Sequence, residues 1–227
     1  MPNLQKLIFH DGGVNCSPLF ELLNVPALFH LEFFPTDRLS YTVLSTFLPR
    51  VASMILSLTT SYAFFANPNH YFALSQCQKL TSIIIKSALS LGPTPQSLAL
   101  AHSVKDIFLD NLTLPTEHPN HLAPALQVFE CQMGGNFSDA AVSRFIKTKH
   151  SQPDIVNLRQ ISIIFTRPKE IDILSDEEVV QYVADGLCVD LCYAMGLNPK
   201  VPFTFRPDAG VLHPGNQFGW SPSNWGT

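Results

Sequence analysis

Glu117-His118-Pro119-Asn120-His121 sets two imidazoles and a carboxylate close together in one short turn. Zinc accepts such ligands, but Pro119 separates them and no second ligand pair follows at helical spacing. Turn polarity explains the group more simply, so no metal is expected there. Cys188 and Cys192 would share one face if they lay on a helix, and two thiolates could hold a soft metal. They also fall on an apolar stripe, where cysteine packs as a small hydrophobe, and that reading is preferred. Cys131 with His10 and Asp11 could supply a thiol nucleophile, a base and its orienting acid. No flanking signature of a cysteine hydrolase accompanies Cys131, and neither Gly12-Gly13 nor Gly134-Gly135 has the spacing that cradles phosphate. Arg206 to Gly210 with His213 could form a substrate loop, although a turn in an extended segment accounts for them equally. The expectation is therefore of a protein that is not an enzyme and takes no cofactor.

Charge is more informative than any of these groups. Between Arg38 and Lys105 there is not one Asp or Glu, and the only formal charges are Arg50, Lys79 and Lys86. All 18 acids lie elsewhere, crowded most densely between Glu170 and Asp190. A solvated surface normally interleaves both signs, so this stretch is built to be covered. Charged residues make up 14% of the chain, against a typical ~25%, and 17 Phe help fill the deficit. The net charge of −4 argues against coating nucleic acid by bulk attraction and leaves room for a local basic groove. Basic residues gather instead in one span: Arg144, Lys147, Lys149, Arg159, Arg167 and Lys169. Phosphate contact is one reading of this cluster; a solvated hinge between helices is the plainer one.

The five Cys form no even framework and no CxxC pair, which suits reduced, buried thiols in a cytosolic setting. The segment from Met1 to Phe9 makes a poor signal peptide. Val51 to Ala66 is uncharged and apolar, yet it is shorter than the ~20 residues of a span and carries the hydroxyls of Ser57, Thr59, Thr60 and Ser61. A membrane is not expected as partner.

Proline and glycine punctuation reads as helices separated by turns. Helices are expected from Asp37 to Pro49, Arg50 to Ala66, His70 to Leu91, Pro95 to Asn111, Asn120 to Gly134 and Ser138 to Lys149. Residues 154 to 165 fit strand or helix, with helix favoured. Asp176 to Met195 is expected as one long helix, capped by Ser175 and closed by Gly196, with Val179, Val183, Leu187 and Leu191 in a stripe. No internal repeat stands out.

Together these readings predict a mainly α fold. Residues 1–35 would be a short N-terminal arm, 36–196 a helical bundle, and 197–227 an extended arm rich in proline, glycine and aromatics. The expected function is a self-assembling viral coat or nucleocapsid-type subunit, found in the virion or host cytoplasm, with itself and single-stranded RNA as partners. Arg144, Lys147, Lys149, Arg159 and Arg167 would contact phosphates, while Phe203, Phe205, Phe218, Trp220 and Trp225 would form the assembly interface. An accessory subunit of a membrane or hetero-oligomeric complex, and a small-molecule enzyme using Cys131 or a histidine, are the alternatives.

Overall fold

Short strands, not long helices, organise the chain. The computed structural model describes residues 3–10, 16–34, 40–65, 67, 70–86, 104–115, 118, 121–132, 137–151 and 157–193. Seven strands run parallel and pair strictly in chain order: β1 (Lys6–His10), β2 (His30–Phe34), β3 (Ser57–Ser61), β4 (Ser82–Lys86), β5 (Val128–Cys131), β6 (Gln160–Ile164) and β7 (Cys188–Cys192). Between them lie α1 (Ser17–Leu22), α2 (Ser40–Val51), α3 (Tyr62–Phe65), α4 (Tyr71–Ser75), α5 (Asp106–Thr113), α6 (Asp139–Ser151) and α7 (Glu177–Ala184). The molecule is therefore α/β, and the expected helical bundle is overturned.

The pairing register exposes a repeat. Superposed strand on strand, Leu4-x-x-Leu7-x-Phe9 aligns with Leu28-x-x-Leu31-x-Phe33 and Ile55-x-x-Leu58-x-Thr60. Leu80-x-x-Ile83-x-Ile85, Leu126-x-x-Phe129-x-Cys131, Leu158-x-x-Ile161-x-Ile163 and Gly186-x-x-Val189-x-Leu191 follow in the same register. The units are close to equal in length, except that the connection from Leu80 to Leu126 is much longer than the rest. From β2 to β6 every one of these inward positions is at most 1% exposed. One carbonyl per unit joins each strand to the next: Gln5, Phe29, Leu56, Thr81 and Gln127 each accept two amides from the following unit. A tight turn precedes the first apolar position where Leu28, Leu80 and Leu126 donate back to Val25, Cys77 and Ala123. Each unit is one strand and one return that cannot bury its own apolar row, so the units stack.

Sequential parallel order with right-handed crossovers places every connection on the same side of the sheet. The aromatic contacts agree: Phe20 of α1 meets Phe33 at 5.2 Å and Phe47 of α2 at 5.0 Å, and Phe145 of α6 meets Phe129 at 5.6 Å. A closed barrel would bury both faces, but here the alternate residues of β4, β5 and β6 stay half-exposed, with Phe34 of β2 and Thr59 and Ser61 of β3 buried, and both faces of edge strand β1 keep surface. Strands stack at ~4.8 Å while helices are ~10 Å across, so the helical arc is the longer one and the sheet lines the inner, concave side. This is an open solenoid.

Several expected boundaries move for physical reasons. The described part of the run expected over 50–66 is the end of α2, then β3, then α3 ending at Phe65, and among the described residues no helix is long and apolar enough to cross a membrane. β1, α1 and β2 occupy the expected N-terminal arm, yet Phe20, Leu28, Leu31 and Phe33 belong to the common core. Residues 160–164 resolve as strand, and the helix expected over 176–195 stops at Ala184. Asp176, not Ser175, is its cap, its carboxylate accepting the Glu178 amide at 3.1 Å. At the other end the Leu187 amide donates to Tyr182 and the Gly186 amide to Val183, a Schellman closure. Gly186 supplies the positive φ of 109° that this closure requires. Gly196 and the segment 197–227 lie outside the described residues.

Candidate functional site

Alternation along each strand sends the residues between the apolar positions to the concave face. Its central row reads Ile8, Glu32, Thr59 and Ile84 across β1 to β4, then Glu130, Ser162 and Asp190 across β5 to β7. Lys6, His30 and Gln160 flank it on one side, and His10, Lys86 and Ile164 on the other. The inter-strand steps make this surface about 29 Å wide, enough for roughly eight residues of extended chain. Several of its polar groups already pair with one another. Glu32 approaches His10 Nε2 at 3.4 Å, the Gln160 amide donates to Glu130 at 3.2 Å, and Ser162 donates to Asp190 at 3.2 Å. Lys6 and Lys86 stand on β1 and β4 with Glu32 between them on β2, while Glu130 and Asp190 stand on β5 and β7. Burial lowers the His30 pKa and Lys6 pushes the same way, with Lys86 adding to it against Glu32. The β5–β7 end of the face is therefore acidic.

The basic cluster does not form one groove. Arg144 of α6 donates to Asp110 at 2.6 Å, and Lys147 pairs with Asp176 at 2.7 Å and Glu178 at 3.1 Å. Lys149, on the same helix, is fully buried, and its Nζ meets no hydrogen-bond partner among the described residues. Arg159 is exposed just before β6, where its carbonyl accepts the Cys188 amide. Arg167 donates to Asp139 at 2.5 Å and to the Phe137 carbonyl, and its guanidinium lies 4.7 Å from the Phe165 ring centroid. Asp139, at 0% exposure, also takes the amides of Glu170 and Ile171 and the Tyr193 hydroxyl. Burial alone would raise its pKa, but Arg167 and these donors together hold the carboxyl below the usual range. Arg167 thus ties the β6–α7 connection to α6. The aromatic assembly residues Phe203, Phe205, Phe218, Trp220 and Trp225 lie outside the described residues.

The other chemical candidates disperse. Cys131 is an inward residue of β5 at 0% exposure, its Sγ 4.0 Å from the Tyr62 hydroxyl. His10 faces Glu32 on a neighbouring strand rather than a nucleophile. Cys188 and Cys192 stand at the two ends of strand β7, about 13 Å apart along an extended backbone and not on adjacent turns of a helix. His121 is buried beside Lys149; burial holds its pKa below the ordinary range, and the Lys149 charge adds to that. Among the described residues no three metal-ligating side chains gather. A groove of about 540 Å³ between α1 and α2 is lined by Phe20, Val43, Phe47 and Arg50, but Arg50 is spent on the Phe20 and Leu23 carbonyls.

No protein-family model, curated protein or solved structure matches the chain. The concave face thus stands on its geometry alone. Reasoning from sequence missed Glu32, Ile84, Glu130, Ser162 and Asp190 as a set. The signal that could have found them is the φ-x-x-φ-x-φ spacing, whose intervening positions they are.

Proposed function

We propose that the protein is a recognition module that binds an extended polypeptide segment across the concave face of its sheet. The observation that carries this reading is the split burial of β4 to β6: their inward rows are at most 1% exposed, while the alternate positions Ser82, Ile84, Glu130 and Ser162 remain accessible; on β3 the concave residue Thr59 is buried. Single-layer solenoids of this architecture, leucine-rich-repeat horseshoes among them, offer just such surfaces to partners. That is an analogy of architecture, since no family is matched. The acidic end of the face favours a segment with basic side chains towards Glu130 and Asp190.

Peptides selected from a random display library against the intact protein test the proposal. Ile84→Arg and Glu130→Arg are expected to weaken the selected peptides at least about tenfold, the effect of losing ~1.4 kcal/mol. Ile107→Arg on α5, a 57%-exposed helical position, serves as the control and should leave binding unchanged. Binding indifferent to both concave substitutions would refute the proposal.

Self-assembly is a second reading, favoured by the outer edge of β1, which meets no strand among the described residues and whose Leu7 and Phe9 are only partly buried. The coat-subunit expectation loses its helical body, and the ion pairs of Arg144, Lys147 and Arg167 and the burial of Lys149 withdraw support from its RNA contacts. Sedimentation of the purified chain distinguishes a regular particle from a discrete monomer.

A further inference from the structure

Two apolar side chains stand exposed side by side where the strands begin. Phe29 and Leu56 immediately precede β2 and β3 and are 41% and 40% exposed. The Leu56 amide donates to the Phe29 carbonyl at 2.9 Å, so the two are direct neighbours across the sheet. The same chain of amide-to-carbonyl bonds starts at Gln5 and continues through Thr81, Gln127 and Arg159, all polar. The row therefore carries one apolar ledge at the rim of the concave face.

Among the acids of that face, Glu130 is placed to act with this ledge. Glu32 already faces His10 at 3.4 Å, and Asp190 stands two strands beyond β5. Glu130, half-buried, accepts the neutral Gln160 amide through Oε1 and meets no cation among the described residues. The register fixes its position relative to the ledge. Leu56 lies one residue before Ser57, whose partner is Ser82 and then Val128, and Glu130 follows Val128 by two. Two strand steps across and three residues along place Leu56 and Glu130 roughly 14 Å apart. An extended chain advances ~3.4 Å per residue and turns alternate side chains to one side, so its residues i and i+4 face the sheet together at about that separation. Residue i+2 then crosses β4 over Ser82, whose small side chain lets the backbone approach.

We infer that the partner segment carries an aromatic or branched aliphatic residue and, four positions away in an extended stretch, a Lys or Arg. The first sits on Phe29 and Leu56, and the second pairs with Glu130. This rests on the concave-face reading and adds what the segment must contain: the apolar anchor supplies buried area, and the charge fixes register.

Sequences recovered from the display library read the interval directly, and binders are expected to be enriched in an apolar and a basic residue four positions apart. A fluorescently labelled synthetic peptide with that interval should bind at least about tenfold tighter than peptides of the same composition with intervals of three or five. Glu130→Arg should reject this peptide and accept one in which Glu replaces the basic residue. Leu56→Ser should erase the preference for the apolar residue and keep the preference for the basic one. Binders that depend on Ile84 and Glu130 but show no such interval overturn this inference and leave concave recognition standing. An enriched interval of about nine or ten residues, the same distance along a helix, overturns it too. Binders indifferent to the concave substitutions overturn both readings.

Discussion

Replacing Asp139 by Ala is expected to lower the unfolding free energy by about 3–5 kcal/mol, the penalty for leaving a buried charge without its partner. Asp139 is the hub on which four donors converge: Arg167, the Glu170 and Ile171 amides, and the Tyr193 hydroxyl. Without it Arg167 remains only 18% exposed and two amides lose their acceptor. The damage falls on the last two units, because the hub fastens the connection after β6 and the residue after β7 to helix α6. Urea unfolding measures the loss, and Asp139→Asn, which keeps the shape but not the charge, should recover only part of it. A change below about 1 kcal/mol for the Ala variant would show that water replaces the network without cost. Because the Asp139 carboxyl is held below its ordinary range, its contribution is complete above the unfolded-state pKa of about 3.9 and disappears as pH falls through the folded value.

Lys149→Met is expected to act in the opposite direction, raising stability at neutral pH by about 1–3 kcal/mol. Lys149 is fully buried on α6, and burial pushes its pKa down to about 8. Its folded state therefore binds a proton less readily than the unfolded chain does. Below pH ~8 both states are protonated and the whole penalty is felt; from there to the unfolded value of ~10.4 the unfolded chain holds more protons, so stability rises with pH. Thermal melts of wild type should show this rise and melts of Lys149→Met should lack it. A lower melting temperature for the variant at pH 7 would mean that the ammonium is paired and stabilising.

Helices are unevenly legible in this sequence, and the reason lies in the repeat itself. Helix α6 stands close to its expected limits because Ser138, Ala141, Phe145 and Ile146 follow a true helical period, with the Ser138 hydroxyl accepting the Ala141 amide. In φ-x-x-φ-x-φ the first two apolar positions, such as Leu80 and Ile83, lie three apart, which imitates a helical face. Strand alternation then covers only two positions before the chain turns. Val179, Val183, Leu187 and Leu191 look like one continuous stripe, yet Gly186 divides them between α7 and β7. The acid-free stretch is legible as covered surface: Leu44, Phe47, Leu58, Phe64 and Ile83 within it are all at most 1% exposed. What covers them is this chain's own stacked units. The concave row is not legible, because Glu32, Ile84, Glu130 and Ser162 are distant in sequence and only the pairing of successive strands brings them together.

The most direct test of recognition by the concave face is a photo-cross-linking map, using a library-selected peptide that carries one photoreactive residue at its centre. The account predicts adducts on the outward positions of β2 to β6, with Glu32, Ile84, Glu130 and Ser162 among the labelled residues. Adducts confined to the outer surfaces of α2, α5 or α6 would contradict it.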